Sequence, residues 1–321
     1  MEMRHFPLAA VLGAIMLVSG IWSTPVQAGE RPLKVVASFS ILGDMAARIG
    51  GPAVSVRTLV GPGGDAHVFE PSPADARAMA EADLVIINGL GFEGWMERLV
   101  KASGYGGPLA LATADVRPRS LDDADADAHG HGDAHGHTGE PEAPRTLDPH
   151  AWQDLANGRL YVKAIARALA AAAPADAATF EANAKAYDAE LAELDAWVRQ
   201  SIAEVPSAKR RVITSHDAFG YLAAAYGIEF LAPLGLSSEA EASAGSLAAL
   251  IRQLREERIK ALFVESIMDP RLIAMLAREA GVPPGQPLYS DALSAPGAGA
   301  ETYVAMFRHN ITALVVGMRR N

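Results

Sequence analysis

The feature that most constrains the fold is a repeated passage. Val35-Val36-Ala37-Ser38 leads through Gly43 and Ala46-Ala47 to Gly50, and Val212-Ile213-Thr214-Ser215 leads through Gly220 and Ala223-Ala224 to Gly227. Aligned without gaps, residues 35–50 and 212–227 share six identities in sixteen positions. Each passage reads as a β-branched strand, a polar turn and an alanine-rich helix ending at glycine. The downstream order repeats too. Val56–Val60 and Phe230–Leu234 read as second strands, Leu84–Asn88 and Leu262–Glu265 as third strands, and Leu109–Leu111 and Pro287–Ser290 as fourth strands. Ser72-Pro73 and Asp269-Pro270 each set an N-cap residue before a proline at the first helical position. Strands alternating with helices imply parallel βαβ units. The expected class is therefore α/β, with two similar lobes, each a parallel sheet flanked by helices.

Between the two halves, Phe180, Tyr187, Leu191, Leu194, Val198 and Ile202 recur at helical spacing within Ala177–Val205, with no glycine or proline among them. At ~1.5 Å per residue this backbone helix is roughly 40 Å long, enough to run along both lobes and limit hinge opening. At the other end of the chain, Arg4 precedes an apolar run, Pro7–Trp22, and Val26 and Ala28 are small. That layout predicts a secretory signal cleaved after Ala28; the run is shorter than the ~20 residues that span a bilayer. The expected division is a signal at 1–28, an N-terminal lobe at 29–175, the connecting helix at 176–205 and a C-terminal lobe at 206–321.

The formal charge of −10 disfavours nucleic acid as a partner, because phosphate binding relies on a basic surface. There is no cysteine. Any metal site must then use histidine, carboxylate or backbone oxygen. A lipoprotein signal needs a cysteine at its cleavage point, so the expectation is a free periplasmic protein without a lipid anchor, and a monomer.

One segment, within 119–145, departs from the alternating pattern. Asp122–Glu140 holds six acidic residues and His129, His131, His135 and His137, with no large apolar side chain. It cannot bury a core, so it reads as a flexible acidic, histidine-rich loop and a possible weaker, auxiliary metal-binding tract.

Of nine histidines, His5 lies in the signal, four lie in the loop, and His309 falls on an amphipathic terminal helix, Tyr303–Val316, where a packed or surface role is expected. That leaves His67, His150 and His216. His67 follows the second strand, His150 follows the first lobe's fourth strand and the loop, and His216 follows the second lobe's first strand. Asp291 follows that lobe's fourth strand. All four sit past the carboxyl ends of strands, where open α/β sheets bind ligands. Three imidazoles and a carboxylate suit four-coordinate zinc. Asp65, Glu70, Asp217 and Glu265 are candidate outer-shell acceptors for the imidazoles.

The segments Gly64-Asp65-Ala66-His67-Val68-Phe69-Glu70-Pro71, Asp148-Pro149-His150-Ala151-Trp152, Ser215-His216-Asp217-Ala218-Phe219-Gly220-Tyr221 and Tyr289-Ser290-Asp291-Ala292-Leu293 resemble those of the zinc- and manganese-binding solute receptors of bacterial ABC importers (cluster A-I), in matching order along the mature chain. The resemblance implies two α/β lobes joined by a long helix, one metal ion carried between them as cargo, and His67, His150, His216 and Asp291 as its ligands. It also implies a membrane permease and an ATPase as partners, with a periplasmic zinc chaperone as a further one. Manganese members of this family tend to carry glutamate at the third position, so His216 tilts the expectation to Zn(II), with a manganese or broad divalent-metal receptor as the alternative. The acidic histidine loop resembles insertions of the zinc receptors.

The rival from another class is an exported zinc hydrolase. Such sites keep an open metal position, whereas four protein ligands close this one, and neither His-Glu-x-x-His nor Gly-x-Ser-x-Gly occurs. No enzyme activity is expected. A surface adhesin on the same scaffold is the other rival, and no recognition motif supports it.

Overall fold

In the computed structural model the described residues are 31–120, 146–233 and 244–321. The signal, the histidine loop and Leu234 lie outside them. Strand β1 (Leu33–Phe39) is buried without a break from Val35 to Phe39, as expected of a strand covered on both faces. Parallel β2 (Val54–Val60) and β3 (Leu84–Ile87) flank it, and β4 (Leu109–Leu111) pairs with β3, giving the order β2-β1-β3-β4. Val35 stands opposite Val56 and Leu84. Helix α1 (Ser40–Gly50) follows β1 directly and ends at Gly51, whose φ of 53° is a left-handed conformation suited to glycine. A Cβ at Gly43 would lie 2.4 Å from Thr58 Oγ1 on β2. The repeated glycine is thus a close-approach position between helix and strand. Helices α2 (Pro73–Ala80) and α3 (Met96–Ser103) complete the lobe, and Ser72 and Asp75 form a reciprocal capping box at the start of α2.

Helix α4 (Leu155–Ala172), capped by the Asp154 carboxylate on Ala156 N–H at 2.9 Å, leads into α5 (Ala177–Ala203). The predicted stripe on α5 is buried from Phe180 to Ile202. The helix touches both halves: Arg48 of α1 lies over the Tyr187 ring at 4.4 Å, and Asp195 accepts from Tyr226 Oη at 2.8 Å.

In the second lobe β5 (Arg211–Ile213) and β6 (Glu229–Leu231) pair in parallel, and α6 (Gly220–Tyr226) lies between them. The expected third and fourth strands shrink to single parallel bridges, Ile213 with Leu262 and Glu265 with Leu288. Ladder bonds are still made: Phe263 N–H donates to Ile213 O at 2.9 Å and Leu288 N–H to Val264 O at 2.9 Å. The run stops where the Glu265 N–H turns to Ser215 Oγ at 3.4 Å and its carbonyl accepts the Met268 N–H at 2.9 Å. The strand order of the first lobe is therefore repeated in reduced form. Helix α7 (Ala244–Glu256) and α8 (Arg271–Ala280) flank it. Pro270 stands just before α8 rather than inside it, and Asp269 accepts the Arg271 N–H at 2.9 Å.

Helix α9 (Tyr303–Met318) returns the chain to the first lobe: Tyr303 N–H donates to Asp44 Oδ2 at 2.9 Å, and its hydroxyl donates to Trp152 O. The larger apolar core runs through the first lobe, α4, α5 and α9, and a smaller one beneath α7 and α8 contains Ile213, Leu254, Leu262, Ile273 and Leu276. Among the described residues no helix is long and apolar enough to cross a membrane.

Candidate metal centre

Each of the four expected residues is held by its backbone before its side chain acts. Beyond β2, Asp65 Oδ1 accepts the His67 N–H at 2.9 Å, and Trp95 Nε1 donates to Ala66 O at 2.8 Å. Asp148 Oδ1 accepts the His150 N–H at 2.9 Å, and Asn88, at the end of β3, donates to Pro149 O at 2.9 Å. Past β5, Glu265 Oε1 accepts the N–H groups of Ser215 and His216, both at 2.9 Å. Ser290 O, just before Asp291, accepts from Trp152 Nε1 at 2.9 Å and Gln153 Nε2 at 2.8 Å. These devices bring four distant stretches of chain, spaced by 83, 66 and 75 residues, to one point.

The three imidazoles form a near-regular triangle, with ring centroids 5.5, 5.5 and 5.9 Å apart. Asp291 closes it. Its Oδ2 lies 3.2 Å from His67 Nε2 and 3.3 Å from His216 Nε2, and its Oδ1 lies 3.6 Å from His150 Nε2. A tetrahedral ion with ~2.1 Å bonds holds its donors roughly 3.4 Å apart. One donor atom from each of the four lies within 4.8 Å of the others. His150, His216 and Asp291 are fully buried, and the His67 side chain is 8 % exposed. His67 is the one member that meets solvent.

Among the described residues, all three Nε2 atoms and both Asp291 oxygens lack a hydrogen-bond partner. Orphaned buried polar atoms are rare because each costs free energy. Five of them aimed at one point have the donor chemistry of a divalent transition-metal site. The far sides of two rings are anchored: His150 Nδ1 lies 2.8 Å from Asp148 Oδ1, and His216 Nδ1 lies in close charge contact, 2.7 Å, with Glu265 Oε2. Such partners leave the Nε2 lone pair facing the cluster.

Charge and burial compete here. Burial would raise the Asp291 carboxyl, but the facing His150 and His216 hold it well below the usual carboxylate range. Burial would lower His216, but the carboxylates of Glu265 and Asp291 hold it well above the usual imidazole value. Asp217 is pushed up, first by burial and then by the charge of Asp148.

Of the four expected outer-shell acceptors, one lies against a ring of the cluster and one against its backbone. Glu265 contacts ring and backbone of its histidine stretch, and Asp65 acts through the His67 backbone. Glu70 is exposed and Asp217 half-buried, and neither bonds to a histidine ring of the cluster. Asp148 was not singled out, although one signal was present: Asp65-Ala66-His67 and Asp148-Pro149-His150 share an aspartate two residues before a histidine, the spacing of an Asx turn. Asn88, Trp95, Trp152 and Gln153 carry no local signal, because their partners are remote or backbone atoms. His309 stands apart, with Nε2 2.8 Å from Pro287 O and its ring against Tyr289.

A two-lobed α/β scaffold with a buried cluster of three histidines and one aspartate defines a binding protein for a divalent cation. Residues 35–317 match the family profile described as "Zinc-uptake complex component A periplasmic", ZnuA. The chain belongs to that family. It is 33 % identical to the manganese-binding lipoprotein MntA of Bacillus subtilis, covering 99 % of this chain and 100 % of that one. It is 30 % identical to the iron ABC transporter substrate-binding lipoprotein MtsA of Streptococcus pyogenes, covering 98 % and 97 %. The periplasmic zinc-binding protein TroA of Treponema pallidum superposes with a TM-score of 0.78 at 28 % identity, covering 90 % of this chain and all of that one.

The protein is thus a metal-binding receptor of an ABC-type importer, with a permease and an ATPase as partners, and not an enzyme. The hydrolase alternative falls with that. One expectation is corrected. MntA and MtsA are both named as lipoproteins, which overturns the expected free protein without a lipid anchor; the extracytoplasmic side remains consistent. The expectation rested on the absence of cysteine, which speaks only to one attachment chemistry at one cleavage point.

Proposed function

We propose that the receptor binds divalent first-row metals through His67, His150, His216 and Asp291, and that manganese is its principal cargo. The observation that carries the ligand assignment is the convergence of five buried, unpartnered donor atoms. Manganese over zinc is supported by the names of the relatives and by Asp291, which turns both oxygens to the imidazoles. A carboxylate offering two oxygens suits an oxygen-preferring ion of higher coordination number. The zinc expectation from His216 keeps the support of TroA and of the family description. Zinc also binds such a donor set more tightly than manganese by intrinsic order, so delivery of manganese depends on what the compartment supplies.

Capture between the lobes, docking on the permease and release into its channel complete the mechanism. In the same proposal, residues 29–175 and 206–321 are the two lobes, 176–205 the connecting helix and 1–28 the export segment. The receptor works as a monomer, a periplasmic chaperone can load it, and the loop histidines collect metal without being ligands of the main site.

The test is metal analysis and competition titration with Mn(II) and Zn(II) on the wild type beside His216→Ala and Asp291→Ala. One ion per chain and a loss of at least about tenfold in each variant are expected. Unchanged affinity in both variants contradicts the ligand set. Cellular uptake of zinc but not manganese through the importer contradicts the cargo.

A further inference from the structure

Asp291 differs from the three histidines in where its support comes from. His67, His150 and His216 are each anchored from within their own lobe, by Asp65 and Trp95, by Asp148 and Asn88, and by Glu265. The Asp291 segment belongs to the second lobe by sequence, yet side chains and backbone from the first half grip it. Trp152 Nε1 and Gln153 Nε2 both donate to Ser290 O. Ser40 Oγ accepts the Leu293 N–H at 2.9 Å, and Leu293 O accepts the Gly63 N–H at 2.9 Å. Among the described residues Asp291 has no hydrogen bond to either oxygen, and only the imidazoles face its carboxylate. The bonds that hold this segment are therefore made at its backbone.

Two of these grips are built for the purpose. Trp152 and Gln153 are fully buried, and they follow His150 in the single 3₁₀ turn Ala151–Gln153. The Trp152 ring packs against Phe39 and Phe92 in a triangle of rings, each pair with centroids 4.9 Å apart. A carbonyl that accepts two fixed donors leaves the following residue little freedom to rotate. Ligand His150 and ligand Asp291 are thereby coupled through the three-residue turn Ala151–Gln153 on one side and the Ser290 carbonyl on the other.

Resting on the ligand and cargo reading above, we infer that Trp152 and Gln153 are positioning residues that set the metal preference. By fixing Ser290 O they keep both Asp291 oxygens facing the three Nε2 atoms, and so favour the ion that uses carboxylate oxygen most. Without them the carboxylate rotates more freely. A four-coordinate ion can then still be met by one oxygen, while an oxygen-preferring ion loses more.

The test uses Gln153→Met, which removes the donors at similar volume, and Trp152→Phe, which keeps a ring against Phe39 and Phe92. Asp291→Ala serves as the reference. Mn(II) and Zn(II) affinities are measured by chelator competition, with the visible spectrum of the Co(II)-loaded protein as a coordination signature and circular dichroism as the fold check. Manganese affinity is expected to fall by roughly tenfold and zinc affinity by clearly less, with an altered Co(II) spectrum. Either variant that folds is sufficient, and failure of both to fold overturns the inference, because the pair is then structural. Equal loss of both metals, or no loss and a wild-type spectrum, overturns it while Asp291→Ala still abolishes tight binding. If Asp291→Ala binds manganese as the wild type does, the ligand reading itself has failed.

Discussion

Replacing Glu265 by glutamine is the sharpest test of how the second lobe prepares His216. The side chain is fully buried, Oε1 accepts two backbone N–H groups at 2.9 Å, and Oε2 faces His216 Nδ1 at 2.7 Å. Glutamine keeps the shape but has one donor group and one acceptor. If its oxygen stays on the two amides, its NH₂ faces Nδ1 and forces the proton onto Nε2, which removes the lone pair from the metal. If the amide flips, two backbone donors face an NH₂ group. Either way one buried polar contact is mismatched, which costs about 1–3 kcal/mol. That is about 5- to 150-fold in Kd, in line with the ~10–100-fold range for partners of metal-bound histidines. Chelator competition with Mn(II) and Zn(II) near pH 8 measures it directly. The Glu265 charge also holds His216 high in the metal-free protein, so glutamine relieves proton competition. The affinity gap between wild type and variant is therefore expected to narrow as pH falls. A Kd within about threefold of wild type at both ends of the pH range refutes the orienting role.

Metal affinity of the wild type falls with pH, and because His216 is held above the usual imidazole value the fall begins above pH ~6.5; a flat titration from about pH 8 to 5.5 contradicts this. In the metal-free protein the stability that comes from charged His216 is complete below about pH 6.5 and is lost as pH rises through its raised value. The thermal-midpoint loss caused by Glu265→Gln is thus expected to be larger near pH 6 than near pH 9, by roughly the linkage of one proton. Asp148→Ala frees the His150 ring and its N–H, and about tenfold weaker metal binding is expected by the same competition assay. Leu191→Ala opens a cavity in the fully buried stripe of α5, and urea unfolding is expected to report about 2–5 kcal/mol lost with metal stoichiometry unchanged.

Much of the fold was legible because it repeats. The strand–turn–helix passages at 35–50 and 212–227 fold alike, and the shared glycines proved to be contact positions. Gly43 faces Thr58, and a Cβ at Gly220 would lie 2.7 Å from Asp148 Oδ2. The third and fourth strands of the second lobe were legible only as apolar runs. Nothing in those runs reveals that the Glu265 N–H leaves the ladder for Ser215 Oγ, or that its carboxylate holds the Ser215 and His216 amides.

The four residues that lie together here were legible because each was expected just past the end of a strand. Their supports were readable only where local, as with Asp65 two residues before His67. Trp152 was legible only as part of the Asp148–Trp152 segment and Gln153 was not singled out, since the carbonyl they hold belongs to Ser290, far along the chain. Metal identity was the least legible. Three imidazoles and a carboxylate suit several divalent first-row metals, so residue types alone do not encode the choice.

The most direct measurement is X-ray absorption at the manganese edge on the receptor loaded with one equivalent of Mn(II). A first shell with three imidazole nitrogens and carboxylate oxygen, lost on Asp291→Ala or His150→Ala, is the expected result. A shell of water and surface carboxylates, unchanged in those variants, would contradict the proposed site.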